Sequence, residues 1–221
     1  MVALGERRWP DVAKQAPILL LPLGSCEQHG LHLPLDTDTR IAVAIATAVA
    51  NVRPMVTVAP ALAFGASGEH AAFAGTLSIG TDALATVVIE LVRSADWATK
   101  VVLVNGHGGN LDGLRRAIVT LQGEGRNVVA WYPTLPGGDA HAGRTETSLL
   151  LAIAPDLVRL ELAVAGATEP IASLLGRLRA GGVKAVSENG VLGDPAGANA
   201  EEGHRLLAGL VASLGAKVDA P

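Results

Sequence analysis

Glu27, His29, Asp36 and Asp38 crowd into the stretch from Gly24 to Asp38, and His107, His141 and Glu146 follow further along the chain. Imidazole nitrogens mixed with carboxylate oxygens suit borderline divalent cations such as Zn²⁺, Fe²⁺ or Mn²⁺. Glu27 and His29 are two positions apart, so on an extended backbone both side chains leave the same side. The run Gly30-Leu31-His32-Leu33-Pro34-Leu35 holds a glycine and a proline, which shape a loop rather than a helix. An aspartate offers two oxygens and can bridge a cation pair. Such pairs in hydrolases sit about 3.5–4 Å apart and acidify water towards neutral pH. The chemistry suggested is hydrolysis by metal-activated water.

Elements must bring these residues together. Strands are expected at Ile18–Leu23, Met55–Ala61, Lys100–Asn105 and Asn127–Tyr132. Helices are expected at Asp38–Asn51, Thr81–Ala95, Asn110–Glu124, Glu146–Ile153, Ile171–Ala180 and Asn199–Gly215. This alternation predicts an α/β fold, a three-layer α/β/α arrangement with a mostly parallel central sheet, in one domain over residues 1–221. Thr81 with Asp82 suits one helix start and Asn110 another, while Gly123 and Gly125 suit a helix end. Leu157–Val164 (LVRLELAV) alternates apolar and charged residues, the pattern of an edge strand.

In parallel sheets, ligands bind beyond the carboxyl ends of the strands. The first strand runs into Glu27 and His29, the third into His107, and the fourth towards His141 and Glu146. Three loop tips on one rim each bring a metal-competent residue.

Composition narrows the alternatives. Hydrophobic residues make up 49% of the 221 but aromatic ones only 3%, so the core must be aliphatic. A net charge of −4 without any basic block argues against a nucleic-acid partner. The single cysteine, Cys26, leaves no intramolecular disulfide and suits a cytoplasmic location. Residues 1–16 carry charges of both signs and do not read as a signal peptide. No apolar run reaches the roughly 18 residues of a membrane span, and Ile41–Val52 reads as a buried helix. Asn105–Asn110 invites a rival reading as a phosphate cradle at a helix N-terminus. It lacks the spacing of a P-loop or dinucleotide fingerprint. A non-catalytic nucleotide- or metal-binding module is the alternative from another functional class.

The stretch Pro22–Asp38 (PLGSCEQHGLHLPLDTD) closely resembles the opening metal motif of the creatininase (creatinine amidohydrolase) family. Asn105–Asn110 (NGHGGN) resembles its second motif and His141–Ser148 (HAGRTETS) its third. Gly68-Glu69-His70 and Phe73-Ala74-Gly75-Thr76 resemble its substrate-side loop, and the likeness runs from about Trp9 to Val164. The resemblance implies two divalent ions per subunit, Fe²⁺ or Zn²⁺ foremost and Mn²⁺ as an option. One would sit on Glu27, Asp38 and His107, the other on His29, Asp38 and a further carboxylate. Creatininase itself takes that carboxylate two residues after the motif-two histidine, where this chain has Gly109. Glu146 is the natural replacement, which tells against creatinine as substrate. The runs Gly65–His70, Pro136–Asp139 and Ala185–Pro195 look like the branch of the family that matures mycofactocin. That branch removes the modified C-terminal Val-Tyr dipeptide of a ribosomally made precursor peptide. Hydrolysis of creatinine or a formamide is the other chemistry implied, and the family implies a homo-oligomer.

Other residues take expected roles around this centre. His141 is the proton shuttle to the leaving amine, because imidazole titrates near neutrality. Glu69 is an alternative base, His70 a substrate contact, and Arg144 either pairs with a substrate carboxylate or forms a solvated salt bridge. Asp36 reads as an outer partner orienting a ligand histidine, His32 as a loop support, Cys26 as a small buried residue, and His204 as a surface residue.

Overall fold

The computed structural model describes residues 2–135 and 137–220. Four strands form one parallel sheet in the order β2-β1-β3-β4: β1 Ile18–Leu23, β2 Val56–Val58, β3 Lys100–Asn105 and β4 Val128–Trp131. Strand β1 pairs with β3 along its full length, from Ile18 opposite Lys100 to Leu23 opposite Asn105. The two therefore end level, and their following loops leave side by side. Among the described residues, seven α-helices surround the sheet: α1 Trp9–Gln15, α2 Thr37–Asn51, α3 Thr81–Arg93, α4 Leu111–Gly123, α5 Arg144–Ile153, α6 Ile171–Gly181 and α7 Ala200–Asp219.

Strands buried on both faces read as continuous apolar runs, and successive side chains point to opposite layers. Leu20, Val102, Val104 and Trp131 pack with α2, α5 and α7, in a layer that includes Ile45, Val49, Leu150 and Leu214. Leu19, Leu21, Leu23, Val101 and Leu103 pack with α3 and α4, against Leu84, Val88, Leu114 and Leu121. Two tethers fix the outermost helix. Trp131 Nε1 donates to Ser213 Oγ at 3.1 Å, and buried Lys100 donates to the carbonyls of Lys217 and Ala220 at the end of α7. A cation there also complements the helix dipole.

The α/β/α layering matches the expectation, with every strand pair parallel. Several local expectations are corrected. Leu157–Val164 is not a strand but two 3-10 turns, Pro155–Leu157 and Leu160–Leu162. Its leucines are largely exposed, and the backbone N–H of Arg159 bonds the His32 carbonyl rather than a sheet edge. The second strand is only Val56–Val58, since Pro60 cannot donate to a ladder. Asn110 starts α4, but its side chain makes no cap and serves the site instead. Helix α1 went unanticipated. Pro136, part of the Pro136–Asp139 run, lies outside the described residues.

Candidate metal centre and active site

The carboxyl ends of β1 and β3 and the loop after β4 meet over the start of α2. Asp38 lies in the first turn of α2, where the unpaired N–H groups favour negative charge. Gly106 makes the close approach of the β3 loop feasible: a Cβ there would meet the Asp38 carbonyl at 2.5 Å. Asn110 locks the loops together, donating to the Gly24 carbonyl at 3.1 Å and to Asn105 Oδ1 at 3.0 Å, and accepting from Ala66 N at 2.9 Å.

Three groups of ligand atoms cluster tightly enough to hold an ion: Glu27, Asp38 and His107; His29, Asp38 and Glu146; and Glu27, His29 and His141. The two Asp38 oxygens face different ways. Oδ1 stands 3.2 Å from His29 Nε2, whereas Oδ2 stands 3.1 Å from His107 Nδ1. Glu27 Oε1 lies 3.2 Å from His107 Nδ1 and 3.8 Å from His141 Nδ1, and Glu146 Oε2 lies 3.9 Å from His29 Nε2.

In three of these histidines a backbone carbonyl engages the nitrogen that faces away from the cluster. His29 Nδ1 donates to the Glu27 carbonyl at 3.1 Å, His107 Nε2 to that of Ala66 at 3.1 Å, and His141 Nε2 to that of Gln28 at 2.8 Å. Such bonds fix ring and tautomer and leave the inward nitrogen with a free lone pair. Both Glu27 oxygens are buried without a hydrogen-bond partner among the described residues. A buried charge left that way is costly, and a bound cation would satisfy it. The residues present fit a divalent metal.

The electrostatics agree. Burial opposes the charge on His29, yet Asp38, with Glu146 and Glu27 behind it, outweighs burial and holds the imidazole up to about 9. Burial likewise opposes the charge on His107, but Asp38 and Glu27 hold it well above its usual range. Burial would raise Asp38, but His29 and His107 keep its carboxyl well below the usual carboxylate range. Burial pushes Glu146 up to about 7.

The remaining residues divide. His141 is buried against His29, with ring centroids 4.3 Å apart. Burial and the neighbouring His29 and His70 keep it well below its usual value, so it is neutral with Nδ1 free to accept. Glu69 Oε1 stands 3.8 Å from His107 Nε2, and burial raises its carboxyl. Glu69 and His70 line a cavity of about 460 Å³ above the cluster. Arg144 turns away and pairs with Glu202 on α7 at 2.7 Å; it does not line that cavity. Asp36 points outward to Arg40 at 2.7 Å and orients no histidine, because the two sit one helical turn apart. His32 supports its loop through Thr147 Oγ1 at 2.9 Å. Cys26 is only half-buried, with its sulfur near the Gly75 carbonyl, and His204 is exposed.

Two contributors escaped the sequence. Ser25 Oγ donates to Asp38 Oδ2 at 2.8 Å. Gln28, buried between Glu27 and His29, donates to the Gly190 carbonyl at 3.0 Å and accepts from Gly30 N at 2.9 Å. Its position inside the Glu27–His29 pair was the available signal.

Comparison with known proteins identifies the family. The family model described as creatinine amidohydrolase, Creatininase, matches residues 5–218. A Mycobacterium tuberculosis protein named mycofactocin precursor peptide peptidase is 52% identical over 219 residues, covering 94% of this chain and 87% of that protein. A creatinine amidohydrolase from Pseudomonas putida is 33% identical, covering 74% of this chain and 76% of its own. A solved structure named creatininase Mn superposes with a TM-score of 0.79 at 27% identity, covering 98% of this chain and 97% of that one. By that match over nearly its whole length and by its fold, the chain belongs to the creatininase family of hydrolases.

Proposed function

We propose that this protein is a peptidase that removes the modified C-terminal Val-Tyr dipeptide from the mycofactocin precursor peptide, using water activated between two divalent cations. The observation that carries the metal reading is the buried Asp38 carboxylate with one oxygen towards each histidine, beside a Glu27 carboxylate that lacks any hydrogen-bond partner among the described residues. The substrate reading rests on the 52% identity to the mycobacterial peptidase.

Glu27, Asp38 and His107 would hold one cation, and His29, Asp38 and Glu146 the other. Bound there, the cations would acidify water and polarise the scissile carbonyl. The mixed nitrogen and oxygen donors accept Fe²⁺, Zn²⁺ or Mn²⁺. His141, neutral and with Nδ1 towards the cluster, takes a proton and returns it to the leaving amine. Glu69, on the cavity wall with a raised carboxyl, is the second proton carrier. His70, also neutral because burial lowers it to about 4, contacts substrate. Arg144 has no part in this scheme. No helix among the described residues is long and apolar enough to cross a membrane, which accords with a cytoplasmic enzyme. Exposed Leu157, Leu160, Leu162 and Val164 supply an apolar strip for a homo-oligomer contact.

Hydrolysis of creatinine or a formamide is the competing chemistry. Crowding at Gly109 speaks against it, since a Cβ there would run into the Ala66 carbonyl, His107 and Glu69. The test is incubation of the metal-loaded protein with a precursor peptide carrying the modified C-terminal Val-Tyr and, separately, with creatinine. Release of the dipeptide with creatinine untouched is expected. Turnover of creatinine with an inert peptide overturns the assignment.

A further inference from the structure

Glu146 sits in the first turn of α5, a helix whose own sequence does not cap it. A helix opens on N–H groups without intrahelical partners, which a Ser, Thr, Asp or Asn just before it usually takes. That place holds Gly143, which has no side chain. Asp139 supplies the cap from across the loop. Its Oδ2 accepts from Arg144 N at 2.8 Å, and its Oδ1 accepts from Thr145 N at 2.9 Å and Thr145 Oγ1 at 2.7 Å. Oδ2 also accepts from Asp194 N at 3.4 Å. Two glycines make room for this carboxylate. A Cβ on Gly143 would run into Asp139 Oδ2, and one on Gly193 would stand 2.5 Å from Asp139 Cβ. Gly143 has φ −91° and ψ −156°, extended backbone open to any residue, so glycine is needed there for space alone.

The bonds from Asp139 close a ring of chain around His141 and Ala142. His141 is held from outside by an antiparallel bridge to Leu192, whose N–H donates to the His141 carbonyl at 2.9 Å. Ala142 is wholly buried and left-handed, with φ +53°. Such backbone is costly for alanine and persists only where the surroundings impose it. Its N–H donates to Glu146 Oε2 at 2.6 Å. The Pro136–Asp139 and Ala185–Pro195 runs thus meet at one carboxylate, which encloses the loop that grips Glu146.

We propose that Asp139 is a positioning residue for Glu146: by capping α5 across the loop it keeps Ala142 left-handed, and the Ala142 N–H then fixes the Glu146 carboxylate for its cation. The inference rests on the two-cation reading above, in which Glu146 shares a cation with His29 and Asp38, and deepens it. Without the cap, Ala142 relaxes to ordinary backbone and its N–H leaves Glu146. The carboxylate is then free to turn on its helix. Glu27 and His107 stand on the loops after β1 and β3, outside the ring, so the cation assigned to them with Asp38 keeps its ligands.

The experiment loads wild type, Asp139→Asn, Gly143→Ala and Glu146→Gln with Co²⁺, which mixed nitrogen and oxygen sites accept. Each is dialysed against falling Co²⁺, and cobalt per subunit and visible absorption are read. Asn keeps the shape of Asp139 but sets an N–H₂ group where an acceptor is needed. Gly143→Ala leaves Asp139 in the chain and displaces its carboxylate from the helix start. The wild type should hold two ions. In both variants one ion should bind about 10- to 100-fold more weakly, as when an outer partner of a ligand is lost. The other ion should bind as in the wild type, and the change in absorption should match that of Glu146→Gln. Two ions held as tightly as in the wild type by either variant overturns the role of Asp139 and leaves the two-cation reading standing. Equal weakening of both ions also overturns it, since that marks a general loss of structure. A wild type that holds fewer than two ions removes the two-cation reading, and this inference with it.

Discussion

Gln28 Nε2 donates to His70 Nδ1 at 2.8 Å beneath the cavity. The amide cannot be turned over, because Gly30 N–H requires its oxygen and the Gly190 carbonyl its nitrogen. His70 must therefore accept at Nδ1 and carry its proton on Nε2, which stands 3.4 Å from Glu27 Oε1. The side-chain amide between Glu27 and His29 thus sets the tautomer of a cavity histidine.

Gln28→Leu should uncouple this arrangement. It strands the Gly190 carbonyl, the Gly30 N–H and His70 Nδ1 in a buried setting, at a cost of about 1–3 kcal/mol. Activity should fall by about 10- to 100-fold, the usual effect of losing an outer partner, while bound metal is retained. A Tm scan, metal analysis and peptide cleavage on the same preparation check this. Unchanged Tm and rate would show that Gln28 merely fills space.

Asp38→Asn addresses the cluster directly. The amide presents one acceptor oxygen where the carboxylate presents two, so His29 and His107 no longer share an anion. Metal content should drop and cleavage should fall at least about 100-fold, beyond the range for an outer partner. Metal measured on the purified variant reports the first, and dipeptide release the second. Full metal content would contradict a shared ligand.

The metal-free protein should show a specific pH dependence. His29 is held up to about 9, above its ordinary value of 6.5. A raised histidine contributes stability that is fully present below 6.5 and is lost as pH rises through about 9. The Tm of chelator-treated protein should therefore decline across that window. Metal competes with the same proton, so affinity for Zn²⁺ should strengthen over the same rise, and loaded protein should not show the decline. An apo Tm that climbs from pH 7 to 9 would mean that Asp38 does not hold the proton on His29.

The candidate ligands were legible because they lie in contiguous runs at strand ends, and the strands because burial on both faces leaves them uniformly apolar. What escaped depended on tertiary cover. The alternation of Leu157–Val164 fits a strand only if a sheet edge is free to receive it, and here Arg159 binds the His32 loop instead. Asn110 suits a helix cap by type, but the neighbouring Gly24 and Ala66 backbones claim its amide. Asp36 is chemically a good outer partner, yet the helix starting at Thr37 turns it towards Arg40.

Gly109 leaves no room for a side chain. The resemblance to creatininase implies a ligand carboxylate at this position, and the structure shows why the place is closed here. A Cβ at 109 would collide with the Ala66 carbonyl, with His107 Nε2 and with Glu69 Oε1. The first of these is the group that fixes the His107 tautomer, so any side chain must displace the bond that orients a ligand. Gly109→Ala should therefore lower peptide cleavage by about 10- to 100-fold, as expected when the bond orienting a ligand is disturbed, and the loss should accompany weaker metal binding. Gly109→Asp should not create creatinine hydrolysis, because the added carboxylate cannot enter without moving the loop. Assaying both variants on peptide and on creatinine decides the matter. Creatinine turnover by Gly109→Asp would mean that the loop yields and that one residue alone sets the substrate class.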